Sequence, residues 1–221
     1  MISKMIVLDW RAMKYYQKRI LLLPFFVIIM GWYNSLIIIP FSVMMFLSFS
    51  VNPFAVEEKG ALNNLYLTLP VKRNTIVAGR YVLSFIMLLC GLVMGIAIML
   101  VSHHFSLAKW FIGFKGYMFV IALSYLLYAL FNLCMFPILF RLGYQKGKFW
   151  GFYIPVILFA VLVGVYNVVT SLPGNEGFTI AFIVFATENT QLISGGMAVL
   201  ASLVLVLSYI ISVKVYSKRD F

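Results

Sequence analysis

Long apolar runs broken by short polar intervals set the pattern of this chain. No charged residue occurs from Ile20 to Val56. At roughly 20 residues per crossing, that run predicts two slightly short membrane spans, about 20–33 and 36–52. Gly31 to Ser35 forms the turn between them, and Pro24 and Pro40 are tolerated inside membrane helices. Later runs predict spans at about 75–102, 116–140, 149–171 and 192–213. Phe178 to Ala186 is apolar but too short to cross. Flanked by Glu176 and Glu188, it reads as a re-entrant or interfacial segment before the last span. Residues 1–19 read as an interfacial amphipathic helix, with Ile2, Ile6, Trp10 and Met13 on one side and Lys4, Arg11 and Lys18 on the other. Asp9 falls near the apolar side, which the pattern leaves unexplained. The expected fold is an all-α membrane protein of six transmembrane helices, one domain over residues 1–221.

The longest polar interval, Phe54 to Tyr81, lies between the second and third spans. Leu62, Leu65, Tyr66 and Leu69 recur at the spacing of a one-sided helix. Asn52-Pro53 suits its start, Glu57 and Glu58 sit near the positive end of its dipole, and Pro70 ends it. Lys72 and Arg73 follow, and Asn74 can cap the next helix. A short amphipathic helix at about 54–70, between two membrane helices, offers a docking surface to a soluble partner.

The chain is 64% hydrophobic and 10% charged, too apolar for a soluble globular core, so lipid is the solvent for most of it. The net charge of +11 does not point to nucleic acid, because the basic residues sit at the ends of apolar runs. Every Lys and Arg except Lys109 and Lys115 falls on the side that holds both termini, which makes that side cytoplasmic and requires an even number of spans. Cys90 and Cys134 each lie inside an apolar run and read as small buried hydrophobes.

Catalytic signatures are missing. There is no P-loop, no H-E-x-x-H and no G-x-S-x-G. Glu57-Glu58 and His103-His104 do not make an intramembrane metalloprotease: Leu62 stands where that motif needs Arg, and the two pairs fall on opposite sides of the membrane. The adjacent histidines diverge on a helix and suit an interface better than a metal. Gly91 and Gly95 form a G-x-x-x-G pair that permits close helix contact. Ser124, Tyr128 and Asn132 form a polar stripe in the fourth span, and Asn167 lies near the outer end of the fifth. These four read as helix packing, with a substrate path as the functional alternative. Ionisable residues are nearly absent from the spans, which argues against ion coupling and for an external energy source.

Glu57-Glu58-Lys59, the spaced leucines, Leu69-Pro70-Val71-Lys72-Arg73, then Ile76-Val77 and Arg80-Tyr81 resemble the permease subunit of an ABC-2 type ABC transporter. Leu8-Asp9 and Tyr216 to Asp220 resemble it more loosely. The resemblance implies a bacterial plasma-membrane permease whose coupling helix docks on a separate P-loop ABC ATPase. Glu57, Glu58, Lys59, Leu62, Leu65, Tyr66, Leu69, Pro70, Lys72 and Arg73 would form the dock. ATP and Mg would bind that partner, so this chain would be no enzyme and hold no cofactor or metal. A second permease chain, identical or similar, would complete the transporter. The aromatic- and Met-rich spans suit an amphipathic or hydrophobic cargo, and small six-span exporters of phenol-soluble modulins and antimicrobial peptides look similar. The competing reading is a non-transporting scaffold that binds another soluble protein through the same helix.

Overall fold

The computed structural model describes residues 6–7, 9–11, 22–33, 37–59, 73–104, 114–171 and 188–218. Within them the chain is helical: α1 (Leu23–Tyr33), α2 (Ile38–Ser50), α3 (Asn52–Lys59), α4 (Arg73–His104), α5 (Phe114–Ser171) and α6 (Thr190–Ser217). No strand occurs among the described residues. Four stretches among them are long and apolar enough to cross a bilayer: Ile38–Glu58, Arg73–Ser102, Lys115–Ile157 and Thr190–Ser217. Large apolar side chains stand exposed along two helices: Leu192, Leu203, Val206 and Ile210 on α6, and Phe85, Leu89 and Val93 on α4. Segment 178–186 lies outside the described residues.

A straight helix of 58 residues would be about 87 Å long, far beyond one bilayer. α5 instead folds back on itself at Gly143, whose φ of 76° and ψ of −176° belong to glycine almost alone. Cβ atoms placed on Gly147 and Gly151 would touch the Leu139 and Met135 backbones at 3.1 and 3.3 Å. Those pairs are symmetric about Gly143, so α5 is a tight hairpin of two arms. The sequence suggests a loop over 141–148. Helix runs through that segment instead, because one glycine makes the whole turn.

Side-chain pairings set the helix directions. Val43 meets Gly91 and Ile39 meets Gly95, so α2 and α4 are antiparallel. The G-x-x-x-G pair works here as expected: a Cβ on either glycine would lie 3.0 Å from a Cα of α2. Ser42 Oγ donates to the Gly91 carbonyl at 2.8 Å across the same seam. The first arm of α5 runs parallel to α6, since Tyr125 meets Ser202, Asn132 meets Ser208 and Phe140 meets Tyr216 in step. α4 opposes α6, with Arg73 beside Ser217 and Tyr81 beside Ser208.

These directions bring the start of α4, the ends of α2 and α6, the Gly143 turn and α3 to one end of the bundle. Arg73, Arg80, Arg141, Lys146, Lys148 and Lys214 all lie toward that end. The main core also gathers there: Val51 of the α2–α3 joint packs with Phe54, Val77, Phe136, Phe140 and Tyr216 from four helices. At the opposite end Val27, Ile38, Ile39, Met99 and Val120 form a smaller cluster. Residues 6–7 and 9–11 are helical. Ile6 packs against Leu23, Phe46, Leu83 and Met87, while Trp10 is exposed. Asp9 is buried, so its odd place in the amphipathic pattern reflects contact with the bundle rather than with lipid.

Candidate functional site

α3 begins at Asn52 as the sequence suggests, one residue past the end of α2. Pro53 lacks an N–H, so the ladder of α2 does not continue cleanly into α3. Phe54 enters the core, with ring centroids 4.9 Å from Phe140 and 5.8 Å from Phe136. The Arg80 guanidinium lies over the Phe54 ring at 4.0 Å. Arg80 is 1% exposed and donates from Nη2 to the Glu57 carboxylate, itself 7% exposed. A charge that deep needs a partner. Removing one member of such a pair costs far more than the pair contributes net.

The adjacent carboxylate turns elsewhere. Glu58 Oε2 accepts the backbone N–H groups of Tyr144 at 2.6 Å and Gln145 at 2.9 Å. These are the first two amides after Gly143, at the start of the second arm of α5. Helix N-termini carry unsatisfied N–H groups and a positive dipole end, so a carboxylate from another element caps this one. Arg73 Nη1 donates to the Ser217 carbonyl at 2.8 Å, placing a cation at the carbonyl-rich end of α6.

Of the proposed dock, Glu57, Glu58 and Arg73 therefore make contacts within the chain. Lys59 is the last described residue of α3, but its side chain lies outside the described residues, as do Leu62, Leu65, Tyr66, Leu69, Pro70 and Lys72. The Glu57–Arg80 pair is not evident from helical periodicity. Its signal was Arg80 itself, a cation inside an apolar run, with Glu57 in the nearest acidic cluster.

The polar stripe of α5 is drawn together with α4 and α6. Ser84 and Tyr128 share a hydrogen bond of 2.8 Å, Ser84 donates to Asn132 Oδ1 at 3.3 Å, and Asn132 Nδ2 donates to the Tyr128 carbonyl at 2.9 Å. Ser208 donates to the Asn132 carbonyl at 3.0 Å. Tyr81 bonds both Ser208 and Ser212, at 2.6 and 2.8 Å. Ser124 donates to Val120 of its own helix at 2.6 Å. Tyr128, Asn132 and Ser124 are buried. The Asn167 side chain lies outside the described residues.

A groove of about 590 Å³ opens between α2 and the α5 hairpin, a size common among ligand sites. Met44, Met45 and Ser48 line it from α2, and Met135 and Phe152 from the hairpin. Lys148 stands at its end near the Gly143 turn, with Nζ 5.3 Å from the Tyr144 ring centroid. The walls can hold an apolar body, while the basic mouth can hold a polar or anionic end. Among the described residues, no three His, Cys, Asp or Glu side chains gather as a metal site needs. Cys90 and Cys134 are free thiols, and Cys90 is exposed on the face of α4 rather than buried as expected.

Residues 4–217, nearly the whole chain, match a family model described as ABC-2 family transporter protein. No curated protein and no solved structure matches. Crossing helices, an apolar exterior and the family match together make this a multi-pass membrane protein, and the chain belongs to the ABC-2 transporter family as a permease component of an ABC transporter.

Proposed function

We propose that this chain is the membrane half of an ATP-driven exporter that moves amphipathic or hydrophobic cargo, membrane-active peptides above all. The observation that carries the reading is the root of the polar interval. α3 leads directly into the amphipathic segment and is tied to α4 and to the α5 hairpin at the basic end of the bundle. A segment so rooted can pass an external push into several helices. In this reading the basic end is cytoplasmic, since Lys and Arg concentrate there. Counting α1 and the two arms of α5 separately gives six spans, with both termini in the cytoplasm of a bacterial cell.

Leu62, Leu65, Tyr66 and Leu69 fill a groove on a separate P-loop ATPase, and Lys72 pairs with its rim. ATP and Mg stay on that subunit. Six spans are half of the usual permease pair, so a second permease chain stands opposite. The groove between α2 and the hairpin would face the cargo. Its Met and Phe walls supply adaptable apolar contact.

The test is a pull-down from native membranes in mild detergent with this chain as bait. Capture of a P-loop ATPase that Leu65→Asp or Tyr66→Asp abolishes, with the spans still folded, supports the reading. Capture of some other soluble partner, with no ATPase, replaces it with a scaffold role.

A further inference from the structure

α3 is bonded to two separate bodies through two consecutive carboxylates. Glu57 holds Arg80 on α4, and Glu58 holds the first two amides of the second arm of α5. Neighbouring residues on a helix diverge by about 100°, so one helix can grip both bodies at once. Its joint to its own span lacks one ladder hydrogen bond. Val51 separates α2 from α3, and Pro53 has no N–H to donate. Charge-assisted bonds of this kind are stronger than neutral ones, and burial keeps water from competing for the Glu57–Arg80 pair.

We propose that Glu58 and the Glu57–Arg80 pair are positioning residues that carry movement of the docking segment into the spans, and are not contacts to the ATPase. The inference rests on the exporter reading above and assigns a role inside it. A push on α3 reaches the hairpin through Glu58, while Glu57 ties α3 to α4, which the close α2–α4 seam keeps together with α2. The second arm of α5 begins at the Glu58 contact and carries Lys148 and Phe152 of the groove. α2 forms the facing wall. Movement of that arm against α2 therefore changes the width of the groove, which links docking to the cargo path with no ionisable group moving through the membrane.

Glu58 is exposed, so it can be altered without leaving a buried charge behind. The experiment reconstitutes the full chain with its ATPase in proteoliposomes. It measures ATPase association, ATP hydrolysis, export of an amphipathic peptide and thermal stability for Glu58→Leu and Glu58→Gln. Glu58→Leu should keep association but lower export per ATP hydrolysed by about tenfold, in the range of ordinary coupling between sites. Glu58→Gln should restore most of it, because an amide oxygen can accept from the same two N–H groups. The double variant Glu57→Leu with Arg80→Met removes the other strut without stranding a charge, and should be uncoupled in the same way. Lost association in Glu58→Leu would make Glu58 a docking contact and overturn the proposal. So would unchanged export, or a Gln variant as defective as Leu. A fall in export that only tracks a fall in thermal stability would assign these residues to folding alone. If the unaltered chain binds no ATPase, the exporter reading fails first, and this one with it.

Discussion

Gly143 shows how much one residue decides. Its backbone angles lie where a side chain collides with its own backbone, and the two arms of α5 need that conformation to fold back. Gly143→Ala should destabilise the chain by about 1–3 kcal/mol, read as a lower unfolding temperature in detergent. A loop near this point is legible in the sequence, because Gly143 sits among basic residues between apolar runs. That the turn needs only one residue is not legible, since it depends on how closely Gly147 and Gly151 approach the other arm. The polar stripe is similar. The four-residue spacing of Ser124, Tyr128 and Asn132 marks one helix face that must avoid lipid. Nothing local says that Ser84, Tyr81 and Ser208 from two other helices will meet it, because tertiary packing chooses those partners. Arg80 belongs to the same class. Its depth demands an acid, and the chain folds so that Glu57 arrives.

Among elements, the α2–α4 seam is the most legible. Gly91 and Gly95 stand one turn apart, and small residues at that spacing let two membrane helices touch where lipid gives no hydrophobic drive. The structure adds the partner, the backbone of α2 at Ile39 and Val43. Gly91→Val should force the seam apart, because the obstructing atom is a backbone Cα that cannot swing aside. The expected result is a lower unfolding temperature and poor recovery of folded protein from membranes. Gly195→Val is the matched control: a Cβ there meets nothing within 4 Å, so that variant should unfold as the unaltered chain does. Helix boundaries were less legible. Arg73 is already helical, so Asn74 lies inside α4 instead of capping it. Arg73 reaches the end of α6.

Over the whole molecule, charge and apolar surface divide the labour. Basic residues gather at one end because antiparallel neighbours return every second helix terminus there, and that arrangement was legible from counting Lys and Arg between apolar runs. The groove was not, because its walls come from α2 and from both arms of a hairpin whose geometry depends on Gly143. A Met- and Phe-lined slot with Lys148 at its basic mouth grades from apolar to cationic along its length. That gradient matches an amphipathic molecule lying with its apolar part in the bilayer and its polar end at the surface. Ser48 tests the match, since it is exposed in the groove wall and bonds to the Met44 carbonyl of its own helix. Ser48→Trp places a large ring in the slot from α2, outside the polar interval. Export of an amphipathic peptide should fall by about tenfold, the effect of blocking a well-shaped apolar pocket. ATPase association should stay intact, because Leu62, Leu65, Tyr66 and Leu69 are untouched. Peptide flux into inverted membrane vesicles, measured beside co-purification of the ATPase, separates the two. Unchanged flux would move the cargo path to another face of the bundle, and lost association would mean that groove and dock are one surface.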